Sequence, residues 1–454
     1  MRTSPVTKKS QGGLLAGACA GTAALLAVGR GAPALVFIAL VLVTFAAYGA
    51  LVWSLTRERV LPARAIAAAF LGLLILAVAV PPRGSKDLYS YVMYGRIVAQ
   101  HDVSPYTRVP ADFPSDPALQ RVQPVFRHTG SVYGPVFTTI SAAGMGACGS
   151  SPLCGRLFFQ ALEALAVLGL AWTVLRATGS WAAAACVGFN PILLVAVVNG
   201  GHNDGLVALG LLAAVLVARA RPVVAGLLLG AAALVKLNVL LPGAVLIAWL
   251  FLREDKRKAL QASLATVSLV VIGYLAAGGS AALKPLHQAV GLVSQHSIWY
   301  VGERWIGAAF DVDDWAAARV SGWVTQLTVL AFIVVAVVAM LVAAGRLRDH
   351  GPEPVVAAAL TVYLLASPYV LPWYAAPLIP LLAMRWRSRT TWVVLAYSAL
   401  LFLAYPVRNP LNGSVTSLIL PDTARDVLPA VAVLVLIAIT VAAWRPRRKA
   451  LSRV

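Results

Sequence analysis

Charged residues are scarce in this sequence. Only 12% of its 454 residues are Asp, Glu, Lys or Arg, whereas 60% are apolar, and such a composition excludes an ordinary water-soluble protein. Apolar stretches of about 15 to 24 residues recur along the chain, long enough as helices to cross most or all of a bilayer core of about 30 Å. The ten-residue alternation of a membrane β-barrel is absent. The sequence therefore predicts an all-α polytopic membrane protein with no detachable soluble domain.

Acidic residues are scarcer than basic ones: there are 17 Asp and Glu against 37 Lys and Arg, for a formal net charge of +20. An excess of this size can indicate nucleic-acid binding, but the position of the charges along this chain indicates membrane topology instead. About fourteen spans are predicted, which places both termini on the same side of the membrane. The predicted spans cover residues 12–29, 33–55, 62–80, 156–175, 181–198, 204–218, 222–236, 238–252, 259–278, 320–344, 354–367, 373–384, 391–405 and 426–444.

The run at 133–149, YGPVFTTISAAGMGACG, is predicted to be a re-entrant helix that does not cross the membrane. If it crossed, the basic segment REDKRK at 253–258 would face away from the basic N-terminus and from RPRRK near the C-terminus. Without that crossing, every dense basic loop faces the cytoplasm. The sequence therefore predicts a multi-pass plasma-membrane protein with both termini cytoplasmic and with no nucleic-acid partner.

Cysteine is rare, with four residues in the chain. Cys19 and Cys186 lie in predicted spans and are interpreted as small core residues. Cys148 and Cys154 flank GSSPL on the outer face, where a disulfide is chemically permitted, but their spacing alone does not establish one. The sequence also lacks a nucleotide-sugar motif and a metal-ligand cluster, so no cofactor is required.

Two predicted outer segments, 81–130 and 279–319, are too long to be simple connections. They divide the chain into two extra N-terminal spans at 1–60, a central membrane module at 61–280 and a C-terminal module at 281–454. In the first outer segment, LYSYVMYGRIVA has apolar residues at helical spacing with Arg96 on another face. This pattern predicts an amphipathic helix along the membrane surface.

Asp87 is the first candidate for chemistry, because it lies about one helical turn beyond a span, in SKDLYSY. A carboxylate at this position is often a solvated helix cap. Several basic and aromatic residues crowd the same stretch, however, and together they suggest a polar, aromatic cleft. These residues are Arg83, Lys86, Tyr89, Tyr91, Tyr94 and Arg96.

A second candidate is the polar motif NGGHNDG at 199–205, between two apolar runs. Under the predicted topology, His202, Asn203 and Asp204 emerge on the same face as Asp87. The three glycines allow sharp backbone turns and let a ligand approach the main chain. A plain polar turn would explain Asn and Gly but explains His and Asp together less well, and His-x-Asp alone is only half of a metal site.

Other candidates are more ambiguous. Lys236 ends an apolar run, where it either faces a cavity and binds an anionic phosphate or extends its amine to the membrane interface. In the second outer segment Arg304 follows Trp299 and Tyr300, and Trp373 lies in SPYVLPWY. Aromatic residues beside arginine suit a sugar phosphate, but aromatic residues also anchor proteins at the membrane interface.

The ordered set DLYSYVMYG, HTGSVYGP, FNPILL and GGHND, followed by a span that ends in lysine, resembles the GT-C superfamily of membrane glycosyltransferases. Within that superfamily it is most similar to the polyprenol-phosphate-mannose-dependent α-1,6-mannosyltransferases that build lipomannan and lipoarabinomannan cores in actinobacteria. The resemblance extends over about residues 60 to 380. It implies a GT-C fold and transfer of a mannosyl residue from a lipid-linked phosphate donor to a glycolipid or mannan acceptor on the extracytoplasmic face.

The resemblance also implies roles for the candidates. Asp87 matches the catalytic acid of the first outer loop and would act as the general base of an inverting single displacement, kept ionised by Arg83 and Lys86 nearby. Lys236 and Arg304 would stabilise the leaving phosphate. Some superfamily members use a divalent ion, which Asp87 and Asp204 could share. The full set of predicted substrate-binding residues is Tyr89, Arg96, Tyr133, His202, Asn203, Asp204, Lys236, Trp299, Tyr300, Arg304 and Trp373.

Two alternatives remain open at this point. One is an arabinofuranosyltransferase that uses a decaprenyl-phosphate arabinose donor. The other is a secondary transporter or lipid-carrier flippase, which would also contain broken helices and charges within the membrane. Transporters place their site near the bilayer midplane between related halves, whereas here the polar residues cluster on one face.

Overall fold

The computed structural model of the protein describes residues 6–29, 32–289, 350–386 and 388–408, together with isolated positions between 293 and 434. Within those residues all regular secondary structure is helical, as the sequence predicts. The α-helices are α1 (Lys8–Val28), α2 (Ala34–Arg57), α3 (Ala63–Ala79), α4 (Asp87–Ala99), α5 (Pro135–Cys148), α6 (Pro152–Thr178), α7 (Trp181–Gly188), α8 (Asp204–Val217), α9 (Pro222–Ala233), α10 (Leu240–Arg253), α11 (Lys256–Ala276), α12 (Ser280–Ala289), α13 (Pro352–Ala366), α14 (Leu378–Ala383) and α15 (Arg389–Arg408).

Shorter turns of helix connect these elements. Three 3₁₀-helices lie in the first outer segment, a π-helix follows α7, and two more 3₁₀-helices precede α10 and α14. Their bounds are Pro110–Asp112, Leu119–Arg121, Pro124–Phe126, Ile192–Asn199, Leu237–Val239 and Pro372–Ala375.

Among the described residues, four helices are long and apolar enough to cross a membrane: α1, α2, α6 and α11. α7 and the π-helix form a fifth candidate if the pair, bent by 46°, is counted as one span. Six further apolar helices contain 10 to 17 residues. The chain is therefore a multi-pass membrane protein, while the count of fourteen stays a prediction. The predicted spans 320–344 and 426–444 lie outside the described residues, apart from isolated positions.

The helix α5 corresponds to the run that was predicted not to cross. It has 14 residues, about 21 Å of helix, which is shorter than a bilayer core. Its start is bound to the end of α9, because the amide of Gly134 donates to Val235 (3.0 Å) and that of Val136 donates to Leu234 (3.0 Å). A β-carbon at Gly134 would lie 2.2 Å from the Leu234 carbonyl oxygen, so only glycine allows this close approach.

The other end of α5 is joined to α6 by a disulfide between Cys148 and Cys154, with a Cα–Cα distance of 5.4 Å. The spacing of these cysteines permitted the bond but did not establish it. The disulfide encloses Gly149, whose carbonyl accepts hydrogen bonds from Arg96 (2.7 Å) and Gln100 (2.8 Å). The covalent link therefore holds together α4, α5 and the start of α6.

The predicted helix is present as α4, but its predicted exposed polar face with Arg96 is wrong. Nine of its thirteen residues are buried, Arg96 among them, because α5 covers one side and the 3₁₀ segments of the outer loop cover the other. The guanidinium of Arg96 donates to both carboxylate oxygens of Asp116 (2.9 and 3.0 Å), and His101 contacts the same carboxylate at 2.9 Å. A buried, fully paired charge of this kind organises the loop.

Candidate functional site

The end of α3 is fixed where the loop that carries Asp87 begins. Gln160 on α6 donates to the carbonyls of Val80 (3.1 Å) and Asn199 (2.7 Å), and Asn199 donates in turn to Ala77 (3.0 Å) and Val80 (2.8 Å). Arg156 donates to Gln160 Oε1 (2.8 Å). These side chains satisfy the last carbonyls of α3, which have no partner within the helix, and so they define where the following loop starts.

Asp87 is the first residue of α4, and its amide donates to Ser85 Oγ (3.1 Å). Its side chain is 19% exposed, and one carboxylate oxygen lies 3.4 Å from Nε2 of His202. An acid in the first turn of a helix is stabilised by the positive end of the helix dipole. The structure therefore brings together two predicted site residues that are separated by more than a hundred positions in the sequence.

His202 is held by the wide turn of the π-helix. The amides of Gly200 and His202 donate to carbonyls five residues earlier, those of Val195 and Val197. The carbonyl of Ala196, which lies between these acceptors, instead receives the imidazole, with Nδ1 at 2.6 Å. The π-helix thus provides the acceptor that orients the ring, and such wide turns are frequent at functional sites.

The aromatic partner of His202 is Trp373, from the 3₁₀-helix before α14. The two rings are stacked, with centroids 3.6 Å apart and planes 14° apart. The ring of Tyr405, in α15, meets the indole of Trp373 edge-on, with the ring centroids 5.1 Å apart. His202 is 1% exposed and Trp373 is 4% exposed, so the stacked pair is shielded from water.

The glycines of the NGGHNDG motif have a different role from the predicted one. Gly201 has φ +66°, and a β-carbon there would meet the side chain of Leu88 at 2.5 Å. A β-carbon at Gly205 would lie 2.2 Å from a carboxylate oxygen of Glu163. These glycines therefore allow protein side chains, rather than a ligand, to approach the main chain, and they bring the turn against α4 and α6.

Asp204 and Lys236 form a second charged pair. Lys236 Nζ lies 2.8 and 2.9 Å from the two carboxylate oxygens of Asp204 and 4.4 Å from the centre of the Tyr374 ring. The side chain of Asp204 is 1% exposed and that of Lys236 is 15% exposed. The predicted phosphate-binding lysine is thus already neutralised by an acid.

This pair also bears on the predicted divalent ion, because both oxygens of Asp204 are occupied by Lys236. Asp204 would have to release its lysine before it shared a metal with Asp87. Within the described part of the chain, no group of three His, Cys, Asp or Glu side chains has the geometry for a metal ion.

The side chain of Asn203, buried beside these pairs, lacks a hydrogen-bond partner among the described residues and is 0% exposed. A buried polar group without a partner costs about 1–3 kcal/mol, so Asn203 is suited to bind a water molecule or a substrate hydroxyl. Glu163 of α6 is also buried, at 1% exposure, and faces the amides of Gly205 and Leu206 at the start of α8. Sequence reasoning did not select Glu163, although an acid within a predicted span is itself a signal of function.

The environment of Asp87 favours its ionised form. Burial alone would raise the pKa of the carboxyl, but the hydrogen bond and charge of His202 outweigh it, with smaller contributions from Ser85 and Lys236. The pKa of Asp87 is therefore lower than its ordinary value. The sequence predicted an ionised Asp87 for another reason, the nearby Arg83 and Lys86, and the structure assigns the effect to His202 instead.

Two tyrosines, Tyr91 and Tyr133, are close enough to Asp87 to be affected by its charge. The hydroxyl of Tyr133 lies 3.3 Å from that of Tyr91, and the two rings meet edge-on at 4.8 Å. Burial raises the pKa values of Tyr91 and Tyr133, and the charge of Asp87 raises them further. Both hydroxyls thus remain neutral donors close to the carboxylate.

The remaining predicted residues have other contacts. Arg96 is bound to Asp116, as described above, and the ring of Tyr89 lies 5.7 Å from the guanidinium of Arg121. The indole of Trp299 donates to the carbonyl of Ala366, and the amide of Tyr300 donates to Ser297 Oγ (3.3 Å). Arg304 lies outside the described residues. For these five residues, substrate binding stays a prediction.

An apolar groove opens beside the Asp87–His202 pair. Its walls come from the ends of α1 and α2, from α15 and from the π-helix, and its polar rim is the loop 83–85 before Asp87. The groove is lined by Leu25, Gly29, Phe37, Arg83, Gly84, Ser85, Val195, Ala196, Asn199, Gly200, His202, Pro372, Trp373, Phe402 and Tyr405.

Residues 8–253 match a protein family described as alpha-(1->6)-mannopyranosyltransferase, N-terminal domain. The chain belongs to that family. This result confirms the resemblance drawn from DLYSYVMYG, HTGSVYGP, FNPILL and GGHND, all of which lie within the matched residues.

Two curated relatives have the name alpha-(1->6)-mannopyranosyltransferase A. The one from Corynebacterium glutamicum is 28% identical over 142 residues, which is 29% of this chain and 29% of the relative. The one from Mycobacterium tuberculosis is 26% identical over 340 residues, which is 68% of this chain and 63% of the relative. The chain thus spans less than two thirds of either relative's length. No solved structure matches it.

Because the Asp204–Lys236 pair is buried, breaking it should destabilise the protein. Lys236→Met should lower the thermal unfolding midpoint in detergent strongly, because it leaves a buried carboxylate unpaired at a cost of about 3–5 kcal/mol. Adding Asp204→Asn should recover most of the loss. Arg108→Met removes a comparable ion pair with Asp112 that is 60% and 38% exposed, and it should change the midpoint little. Equal losses for Lys236→Met and Arg108→Met would contradict the assignment.

Proposed function

We propose that the protein transfers a mannosyl residue from a polyprenyl-phosphate-mannose donor to a mannan or glycolipid acceptor, forming an α-1,6 linkage on the extracytoplasmic face. The observation that carries this proposal is the partly exposed carboxylate of Asp87, held by His202 at the rim of an apolar groove. Membership of the mannopyranosyltransferase family supports mannose over arabinose as the sugar.

Asp87 is the proposed general base. Its lowered pKa keeps it ionised near neutrality, and its 19% exposure leaves the carboxylate open to an acceptor hydroxyl. In an inverting displacement, that hydroxyl attacks the anomeric carbon from the face opposite the phosphate while the base takes its proton. Tyr91 and Tyr133, as neutral hydroxyls nearby, are suited to bind the sugar.

The groove is the proposed site for the donor's lipid chain. Its walls include Leu25, Phe37 and Phe402, and the exposed arginine at its rim is Arg83. An apolar groove with a cation at its rim suits an amphiphile with an anionic head group. Arg83 takes the phosphate-binding role that the sequence gave to Lys236, because Lys236 is engaged with Asp204.

The location of the site on the outer side of the membrane has two independent supports. One is the distribution of basic loops along the sequence, which places the loop of Asp87 opposite the cytoplasm. The other is the disulfide between Cys148 and Cys154, because such bonds persist on the oxidising side of a cell membrane.

The role of Asp87 is tested by Asp87→Asn, with mannose transfer from a polyprenyl-phosphate-mannose donor to a short mannoside measured in detergent. We expect a fall in kcat of at least about 10²-fold, because a general base typically contributes 10² to 10⁴, with the protein still folded. Asp102→Asn is the matched control, since Asp102 is exposed and has φ +52°, a conformation that asparagine tolerates. Near-normal transfer by Asp87→Asn would remove Asp87 as the base.

The role of Arg83 is tested by Arg83→Gln in the same assay. Loss of a charge-assisted hydrogen bond to phosphate should raise the KM for the donor roughly 10-fold or more, while the KM for the acceptor stays the same. Arg108→Gln, an exposed arginine of the same outer segment, should leave both constants unchanged. An unchanged donor KM in Arg83→Gln would show that the phosphate binds elsewhere.

The topology is tested with single cysteines on intact cells. Ser115→Cys, at an exposed position of the first outer segment, should react with an impermeant thiol reagent, whereas Lys256→Cys, at an exposed position at the start of α11, should react only after permeabilisation. The unmodified protein gives the background from Cys19 and Cys186. The opposite labelling pattern would place the site on the cytoplasmic side.

A further inference from the structure

We propose that His202 is the group that holds the proton which Asp87 takes from the acceptor hydroxyl, so that the two residues act as one base. The inference rests on the proposed function and adds a role for His202 beyond orienting substrate. It starts from the two nitrogen contacts of the ring, Nδ1 with the Ala196 carbonyl at 2.6 Å and Nε2 with Asp87 at 3.4 Å.

The contact at Nδ1 fixes the tautomer. A carbonyl oxygen can only accept a hydrogen bond, so Nδ1 must hold a proton. In the neutral imidazole, Nε2 then has a lone pair that faces the carboxylate of Asp87. Once Nε2 has taken the proton, the ring provides the hydrogen bond and the positive charge that lower the pKa of Asp87. His202 is therefore arranged to receive a proton from Asp87 without any rotation of the ring.

The ring of His202 is buried and stacked on an aromatic face. His202 is 1% exposed, and its face lies on Trp373 with centroids 3.6 Å apart. An indole face attracts a cation, so Trp373 offers the ring a favourable contact once Nε2 has taken a proton. The Nε2–Asp87 distance of 3.4 Å is longer than a good hydrogen bond, as is common before substrate binds, and such contacts shorten in the reacting complex.

The proton and electron balance is complete without another reactant. The acceptor O–H bond breaks as the new bond from that oxygen to the anomeric carbon forms, and the bond from that carbon to phosphate breaks, with its electron pair leaving on the lipid phosphate. The proton passes to the Asp87 carboxylate and then to Nε2 of His202. It returns to water or to the departing phosphate when the product leaves.

Each element that packs around His202 contributes other charged or titratable groups. Asp204 and Lys236 neutralise one another, and the charged group in contact with Nε2 is Asp87. The groups are Arg83 and Lys86 of the loop before α4, Tyr91 of α4, Glu163 of α6, Asp204 of α8, Lys236, and Tyr369, Tyr374 and Tyr405 of the C-terminal part.

The decisive experiment compares the pH dependence of kcat for the unmodified protein and His202→Gln. Glutamine still hydrogen-bonds but cannot hold the proton, so the plateau of kcat should fall about 10²-fold. The acidic limb should move to lower pH, because a carboxyl group alone titrates at lower pH than an imidazole. The KM values should change by less than about threefold, since a lost transition-state interaction lowers kcat rather than binding.

His101→Gln is the matched control, because His101 also contacts a carboxylate, that of Asp116 at 2.9 Å, but in the outer loop. It should leave the shape of the pH profile unchanged. If His202→Gln lowers kcat while the acidic limb stays in place, His202 only positions Asp87 and the inference is wrong. If the unmodified protein transfers no mannose, the proposed function fails instead.

A second variant keeps the test decisive should His202→Gln not fold. Trp373→Phe retains an aromatic face but weakens the attraction for a cation, since tryptophan binds cations best. The acidic limb of kcat should then move to lower pH by a smaller amount than in His202→Gln. An unmoved limb in a folded Trp373→Phe protein that transfers mannose would count against a protonated His202 during turnover.

Discussion

The contact between His202 and Asp87 depends on the turn of the chain at 199–204. There the π-helix ends, Gly201 turns with a positive φ against Leu88, and α8 begins at Asp204. This turn brings two polar residues to different partners. His202 contacts Asp87 of α4, and Asp204 pairs with Lys236. Because both contacts join polar groups that are largely buried, a shift of either helix end would leave a group unpaired at a cost in free energy.

Side chains around this turn hold the neighbouring helix ends in place. Gln160 and Asn199 tie the end of α3 to α6 and to the π-helix, so the loop to Asp87 begins from a fixed point. On the other side, Gly134 lets the start of α5 dock on the residues just before Lys236. Three segments far apart in the sequence therefore meet at one end of the helical bundle, and each is held by hydrogen bonds to main-chain carbonyls.

Sequence reasoning located the long spans well, because hydropathy alone determines them. The predicted spans at 12–29, 33–55, 156–175 and 259–278 agree with α1, α2, α6 and α11 within about four residues, the usual uncertainty of predicted boundaries. The motifs Asp87 and NGGHNDG were also selected, since charged residues between apolar runs are conspicuous. The sequence could not show which partners they would have, because pairing depends on tertiary distance.

The errors have the same origin. Arg96 looked like the polar face of a surface helix because Asp116, its buried partner, lies twenty residues away in a segment without hydrophobic periodicity. Lys236 looked free to bind phosphate because nothing in the sequence links it to Asp204. In both cases a basic side chain that looks unpaired in the sequence is neutralised by an acid that only the fold brings near. Glu163 is the opposite case. Its place within a predicted span indicated that it is buried, but the sequence could not show which residues surround it.

The π-helix shows that a residue without a functional side chain can still be part of a site. Its wide turn leaves the Ala196 carbonyl to accept the imidazole instead of a main-chain amide. Each residue of an α-helix turns the chain by about 100°, so deleting one residue anywhere in 192–198 would rotate His202 away from Asp87 while preserving every side chain of the motif. The spacing between FNP and HND is therefore as much a determinant of the chemistry as the identity of the residues, and a sequence search that allows gaps at this point would accept proteins that cannot form the pair.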